Sequence, residues 1–78
     1  MDGGDNDWSE RARRFMKAEL KRADVSYEEL ARRLADQGMA GETKASVANK
    51  LARGTFSAAF MLASLRAIGR QTVRLEDL

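Results

Sequence analysis

Cysteine, histidine and proline are all missing from this chain. Without cysteine there is no disulfide, and without cysteine or histidine the usual transition-metal sites lose their ligands. The same two absences remove the common general base and the thiol nucleophile at neutral pH. Carboxylate pairs remain, but Glu28 and Glu29 are accounted for by helix capping and the helix dipole. Asp2, Asp5 and Asp7 lie in a glycine-containing segment without the fixed ligand cage that a hard cation needs. No glycine-rich phosphate loop occurs, since Gly38, Gly41, Gly54 and Gly69 all fit helix ends or loops. The expectation is a protein that is not an enzyme and carries no cofactor or metal. No apolar run approaches the roughly 20 residues that span a membrane. The opening MDGGDNDW is acidic and polar, unlike a signal peptide, so the expected location is the cytoplasm.

What is present is enough for one domain of 78 residues, with 44% apolar residues for a core and 33% charged residues for hydrated faces. The net charge of +2, from 14 cations and 12 acids, says less than its distribution. Between Thr43 and Leu75 stand six cations (Lys44, Lys50, Arg53, Arg66, Arg70, Arg74) and no acid. A one-signed segment in a nearly neutral chain suggests a surface for a polyanion, the plain alternative being a solvated basic face.

Residues 1–6 hold two glycines and read as a disordered tail, leaving 7–78 as the folded domain. Asp7 or Ser9 can cap a first helix in which Trp8, Ala12, Phe15, Met16 and Leu20 recur at helical spacing. Arg11, Arg14, Lys17 and Lys21 fall on its outer flanks. Ser26-Tyr27-Glu28-Glu29 has the form of a capping box, with Val25 and Leu30 at the positions of a hydrophobic staple. The second helix is expected from Tyr27 to Gln37, ended by Gly38 with Met39 folding back. Ser57 caps a fourth helix, apolar nearly all round, which is expected to be the most buried element and ends at Gly69. The final RQTVRLEDL alternates at Thr72–Leu75, as a short strand or as an extended tail docking Val73, Leu75 and Leu78. The fold class is all-α, a compact four-helix domain with that tail or strand at its end.

The third helix lies within KASVANKLARG, residues 44–54, and closes at Gly54. Wound at about 100° per residue, it sets Val47 and Leu51 on one side, flanked by Ala48 and Ala52. Ser46, Asn49, Lys50 and Arg53 share the other side, where no acid of the helix itself pairs with the cations.

VSYEELARRLADQG followed by TKASVANKLARG resembles a helix-turn-helix of the phage-repressor and Cro type, in the xenobiotic-response-element family of bacterial regulators. Ser26, Glu28, Glu29, Leu30 and Ala31 match its first element, Arg53-Gly54 the end of its second, and Phe60 to Gly69 the apolar helix beyond. Asn49 to Phe60, NKLARGTFSAAF, also resembles a pattern of a small family of uncharacterised bacterial proteins, which implies no function. Two departures stand out. Ala35 occupies the place of a usual glycine, with Gly38 and Gly41 lengthening the inter-helix connection, and Tyr27 stands where glutamine is frequent.

The first resemblance implies sequence-specific binding of double-stranded DNA by a small transcriptional regulator, with residues 44–53 in the major groove. Asn49 then hydrogen-bonds adenine, and Lys50 or Arg53 reaches guanine or a phosphate. Ser46 touches a base edge or the backbone. Tyr27 and Thr55 offer hydroxyls to phosphate, although Tyr27 can equally pack at its helix start. Lys44 completes the set, either as a contact or lying along the core by its stem. The resemblance further implies a homodimer on two half-sites, through the C-terminal segment or the fourth helix. Rival readings are a protein-interaction module such as an antitoxin or adaptor, and a non-specific nucleic-acid binder.

Overall fold

Ser26, Thr43 and Ser57 each begin a helix by accepting a hydrogen bond from the backbone N–H three residues on, at 3.0, 3.1 and 3.0 Å. Such caps satisfy donors that the first helical turn leaves free. The computed structural model describes residues 4–78 and contains α1 (Gly4–Ala23), α2 (Tyr27–Asp36), α3 (Lys44–Arg53) and α4 (Ala58–Ala67). A 3-10 turn at Leu75–Asp77 follows, and no strand occurs among the described residues. The domain is all-α, with four helices around one core. At its centre Met16, Leu30, Leu34, Val47, Leu51 and Phe60 are almost completely buried.

Helix α1 departs from expectation at its start. It begins at Gly4, so residues 4–6 are helical rather than part of a tail, while residues 1–3 lie outside the described residues. Asp7 and Ser9 therefore sit inside the helix instead of capping it, and Asp7 pairs with Arg11 at 3.0 Å. Phe15, Met16 and Leu20 are buried as expected, but Trp8 is 52% exposed with the Arg11 guanidinium 4.8 Å from its ring. The end of α3 meets α1 at Ser9 and Arg13 through Gly54, and Trp8 lies to the side of that contact. The far end closes through Asp24 at φ +58°, with the Val25 N–H donating to the Leu20 carbonyl at 3.0 Å.

The capping box expected at Ser26 is only half formed. Glu29 does not reach back; its carboxylate accepts from Arg32 at 3.0 Å and Arg33 at 2.8 Å, bonds that hold its carboxyl down to about 2. A reciprocal box stands one helix later, where the Thr43 N–H donates to Ser46 Oγ at 2.8 Å. Helix α2 stops one residue early, at Asp36, and Met39 folds back as expected, its N–H donating to the Leu34 carbonyl at 2.9 Å. Side chains then tie α2 to α4: Arg33 donates to the Ala67 carbonyl and Gln37 to the Ala63 carbonyl, at 3.1 and 3.0 Å.

Helix α4 is not the most buried element. Phe60, Ser64 and Leu65 face inward, whereas Leu62 is 66% exposed and Ala58, Ala59 and Arg66 are open. It packs chiefly against α1 and α2, and among the described residues its outer Leu62 stays uncovered. Ser64 is fully buried, and its hydroxyl has no partner. An unpaired buried hydroxyl costs roughly 1–3 kcal/mol, and alanine favours a helix more than serine does. Ser64→Ala is therefore expected to stabilise the domain by about 1 kcal/mol, read as a higher urea midpoint at unchanged slope.

The C-terminal segment docks without forming a strand. Val73 and Leu78 pack against the core while Leu75 stays 75% exposed, so one of the three expected anchors does not dock. Arg70 holds the segment down, donating to Glu19 at 2.8 Å and to the Thr72 carbonyl at 2.8 Å.

Candidate nucleic-acid interface

Helix α3 is set in place by Val47 and Leu51, both fully buried, and by packing against α2 and α1. At its end Gly54 takes φ +71°, with its N–H donating to the Lys50 carbonyl at 2.9 Å. These constraints fix which residues face outward. Ala45, Asn49, Ala52 and Arg53 are exposed, while Ser46 and Lys50 are half-buried on one flank. The outer strip is therefore rotated from the expected one. Ala45 and Ala52 replace Ser46 and Lys50 at its centre, and Ala52 no longer belongs to the apolar side.

The expected absence of a neutralising acid is also corrected. Glu42, immediately before the acid-free segment, folds back along the helix. Its carboxylate accepts a hydrogen bond from Ser46 Oγ at 2.6 Å and forms an ion pair with the Lys50 ammonium. The Glu42 side chain is only 12% exposed. Burial alone would raise its carboxyl, but the hydrogen bonds from Lys50 and Ser46 outweigh that and hold it below the ordinary glutamate value. On its other side the Lys50 ammonium lies 5.1 Å from the Phe60 ring centroid, a cation–π contact with α4. Lys50 and Ser46 are thus engaged inside the molecule, rather than presented to a partner.

The remaining expected positions separate. Lys44 opens α3 and is exposed, as is Thr55 just beyond Gly54. Tyr27 is half-buried and packs against the core at the start of α2, as its plainer reading expected. Of the six cations in the acid-free segment, Lys50 pairs with Glu42, Arg70 with Glu19 and Asp77, and Arg74 with Glu76. Among the described residues Lys44, Arg53 and Arg66 form no ion pair, and neither do Arg14, Lys17 and Lys21 on the outer side of α1. Free positive charge is therefore shared among α1, α3 and α4, with Lys44 and Arg53 on α3 and Arg66 on α4. Exposed small residues were the signal missed in the sequence: Ala45 and Ala52 border Asn49 and Arg53 and let another backbone or groove approach closely.

The arrangement is a short helix with an amide, a guanidinium and two methyl groups outward, carried on a rigid pair of helices. Such a surface can hydrogen-bond base edges and meet a thymine methyl. The connection between α2 and α3, residues 37–43, is longer than the roughly three- or four-residue turn of a standard helix-turn-helix.

The chain belongs to the family described as Domain of unknown function (DUF6471), whose model matches residues 8–73. No curated protein and no solved structure matches it. No helix among the described residues is long and apolar enough to cross a membrane.

Proposed function

We propose that this protein binds double-stranded DNA sequence-specifically, as a small transcriptional regulator acting in the cytoplasm, with α3 in the major groove. The observation that carries the reading is the outward strip Ala45, Asn49, Ala52 and Arg53, which contains no acid and no bulky apolar residue. Asn49 would pair bidentately with adenine, and Arg53 with guanine or a phosphate. Lys44 at the helix start and Thr55 beyond its end would meet the flanking phosphates. The resemblance of α2 and α3 to a phage-repressor helix-turn-helix supports the same assignment. So does the absence of any histidine or cysteine for catalysis.

With few free cations on α3, a single copy should bind weakly, and pairing on two half-sites would multiply the affinity. The exposed Leu62 lines a groove of about 740 Å³ with Leu65, Arg66 and Val73, where a second copy could seat. The exposed Leu62 in that groove, whose walls also carry Arg70 and Gln71, favours the rival reading of a protein-interaction module.

Fluorescence anisotropy against a selected duplex and a random duplex, at two salt concentrations, separates these readings. Tight binding to the selected duplex is expected, weakened about 10-fold or more by Asn49→Ala and by Arg53→Ala, since a good bidentate base contact contributes about 1–3 kcal/mol. Binding to neither duplex at low salt would refute the DNA reading and leave the protein-interaction module.

A further inference from the structure

Glu42 is an acid at the edge of a surface that is otherwise basic or neutral. It does not point outward: its carboxylate is folded onto Ser46 Oγ at 2.6 Å and onto the Lys50 ammonium. A hydroxyl and an ammonium converging on one carboxylate are also the donors that a phosphate oxygen would take. Lys50 lies three residues before Arg53, on the neighbouring flank of α3, and its side chain is 38% exposed. It therefore stands beside the strip that carries Asn49 and Arg53, within reach of a phosphate if freed from Glu42.

We infer that Glu42 is an internal counter-anion of the DNA-facing surface: it withholds Lys50 and Ser46 from phosphate and so limits the sequence-independent part of DNA affinity. The inference rests on the DNA reading above and deepens it. Non-specific binding comes almost entirely from phosphate neutralisation, whereas base contacts discriminate. A surface whose flanking lysine is neutralised from within depends on Asn49 and Arg53 for its grip, and lingers less on random sequence. A protein can obtain selectivity in this way by weakening the wrong complexes, without adding any contact to the right one.

The test compares wild type, Glu42→Gln and Glu42→Gln/Lys50→Gln on a random-sequence duplex across a series of salt concentrations. Circular dichroism confirms that each variant is folded. Glutamine retains the size and an acceptor for Ser46 while removing the charge. Glu42→Gln is expected to tighten random-duplex binding about 3- to 10-fold at low salt. Its log–log salt slope should steepen by about 0.9, the increment for one further neutralised phosphate. Adding Lys50→Gln should return the slope to the wild-type value. If wild type binds and Glu42→Gln leaves its slope unchanged, Glu42 serves only to cap and brace α3, and the inference is overturned while the DNA reading stands. If neither protein binds duplex at any salt, both are overturned.

Discussion

Replacing Gly54 with alanine is expected to lower the unfolding free energy by about 3 kcal/mol, a large share of the roughly 4–12 kcal/mol that a domain of this size has. Two effects add. Gly54 sits at φ +71°, a left-handed conformation that costs an L-residue roughly 1–2 kcal/mol. A methyl group there would also lie 2.6 Å from the Ser9 carbonyl oxygen and 3.2 Å from Arg13 Cβ, both on α1. Neither the Ser9 backbone nor the Arg13 stem is free to swing aside, so α3 must lift from α1, at a typical overpacking cost of about 1–3 kcal/mol. Gly38 separates the two effects, because it is left-handed at φ +89° with nothing within 4 Å of its added methyl. Gly38→Ala should cost only about 1 kcal/mol. In thermal denaturation the Gly54 variant should melt on the order of 15 °C lower, and the Gly38 variant about 5 °C lower. Equal losses at the two positions would show that the close approach to α1 contributes nothing. Because Gly54 also sets the end of α3, the same variant should weaken the proposed DNA binding even where it remains folded.

Glu19→Ala is expected to be nearly as damaging, at about 2–3 kcal/mol. Glu19 is 5% exposed on α1 and pairs with Arg70 at 2.8 Å and more loosely with Arg22 at 3.4 Å. Removing one partner of a buried ion pair leaves the other charge poorly solvated and typically costs about 3–5 kcal/mol; the partial exposure of Arg70 argues for less. Arg70 would keep its bond to the Thr72 carbonyl and a distant contact with Asp77 at 3.5 Å, together with its place over the Phe15 ring. Replacing Glu19 and Arg70 together by methionine should cost less than the sum of the two single methionine replacements. Urea denaturation of the four proteins in the cycle measures this coupling. Hydrogen exchange adds a local readout, since the amides of residues 70–78 should exchange faster in Glu19→Ala than in wild type. Additive losses and unchanged exchange would mean that the pair does not hold the C-terminal segment.

Much of the architecture was legible in the residue order because its causes are local. Serine or threonine before a periodic apolar run marks a helix start, and Gly38, Gly54 and Gly69 mark ends, because the groups they satisfy lie within one helical turn. Val47 and Leu51, or Leu30 and Leu34, declare an inward face by spacing alone. The places where this reading failed share a different origin. Trp8 has a core-like spacing, yet α3 meets α1 at Ser9 and Arg13 and leaves it to one side. Leu62 continues the apolar pattern of α4 on a side that no element occupies. Glu29 stands at the reciprocal position of a capping box but finds two arginines one turn further on, where the opposite charges attract it more strongly.

The candidate site divides in the same way. That α3 carries Asn49 and Arg53 away from Val47 and Leu51 follows from helical geometry and was available from the sequence. So was the surplus of basic residues between Thr43 and Leu75, because counting needs no coordinates. Which of those cations are free did not follow. Lys50 is neutralised by Glu42 from outside the helix and held against Phe60 of another helix, while Arg70 is claimed by Glu19 of α1. The sequence alone determined the four helices, the starts of α2, α3 and α4 and inward positions such as Leu30, Leu34, Val47 and Leu51, since these depend on neighbours within a turn or two. Only the tertiary structure decided which charges reach solvent and which residues centre the outer strip of α3, because ion pairing and burial depend on distances between elements that no periodicity encodes.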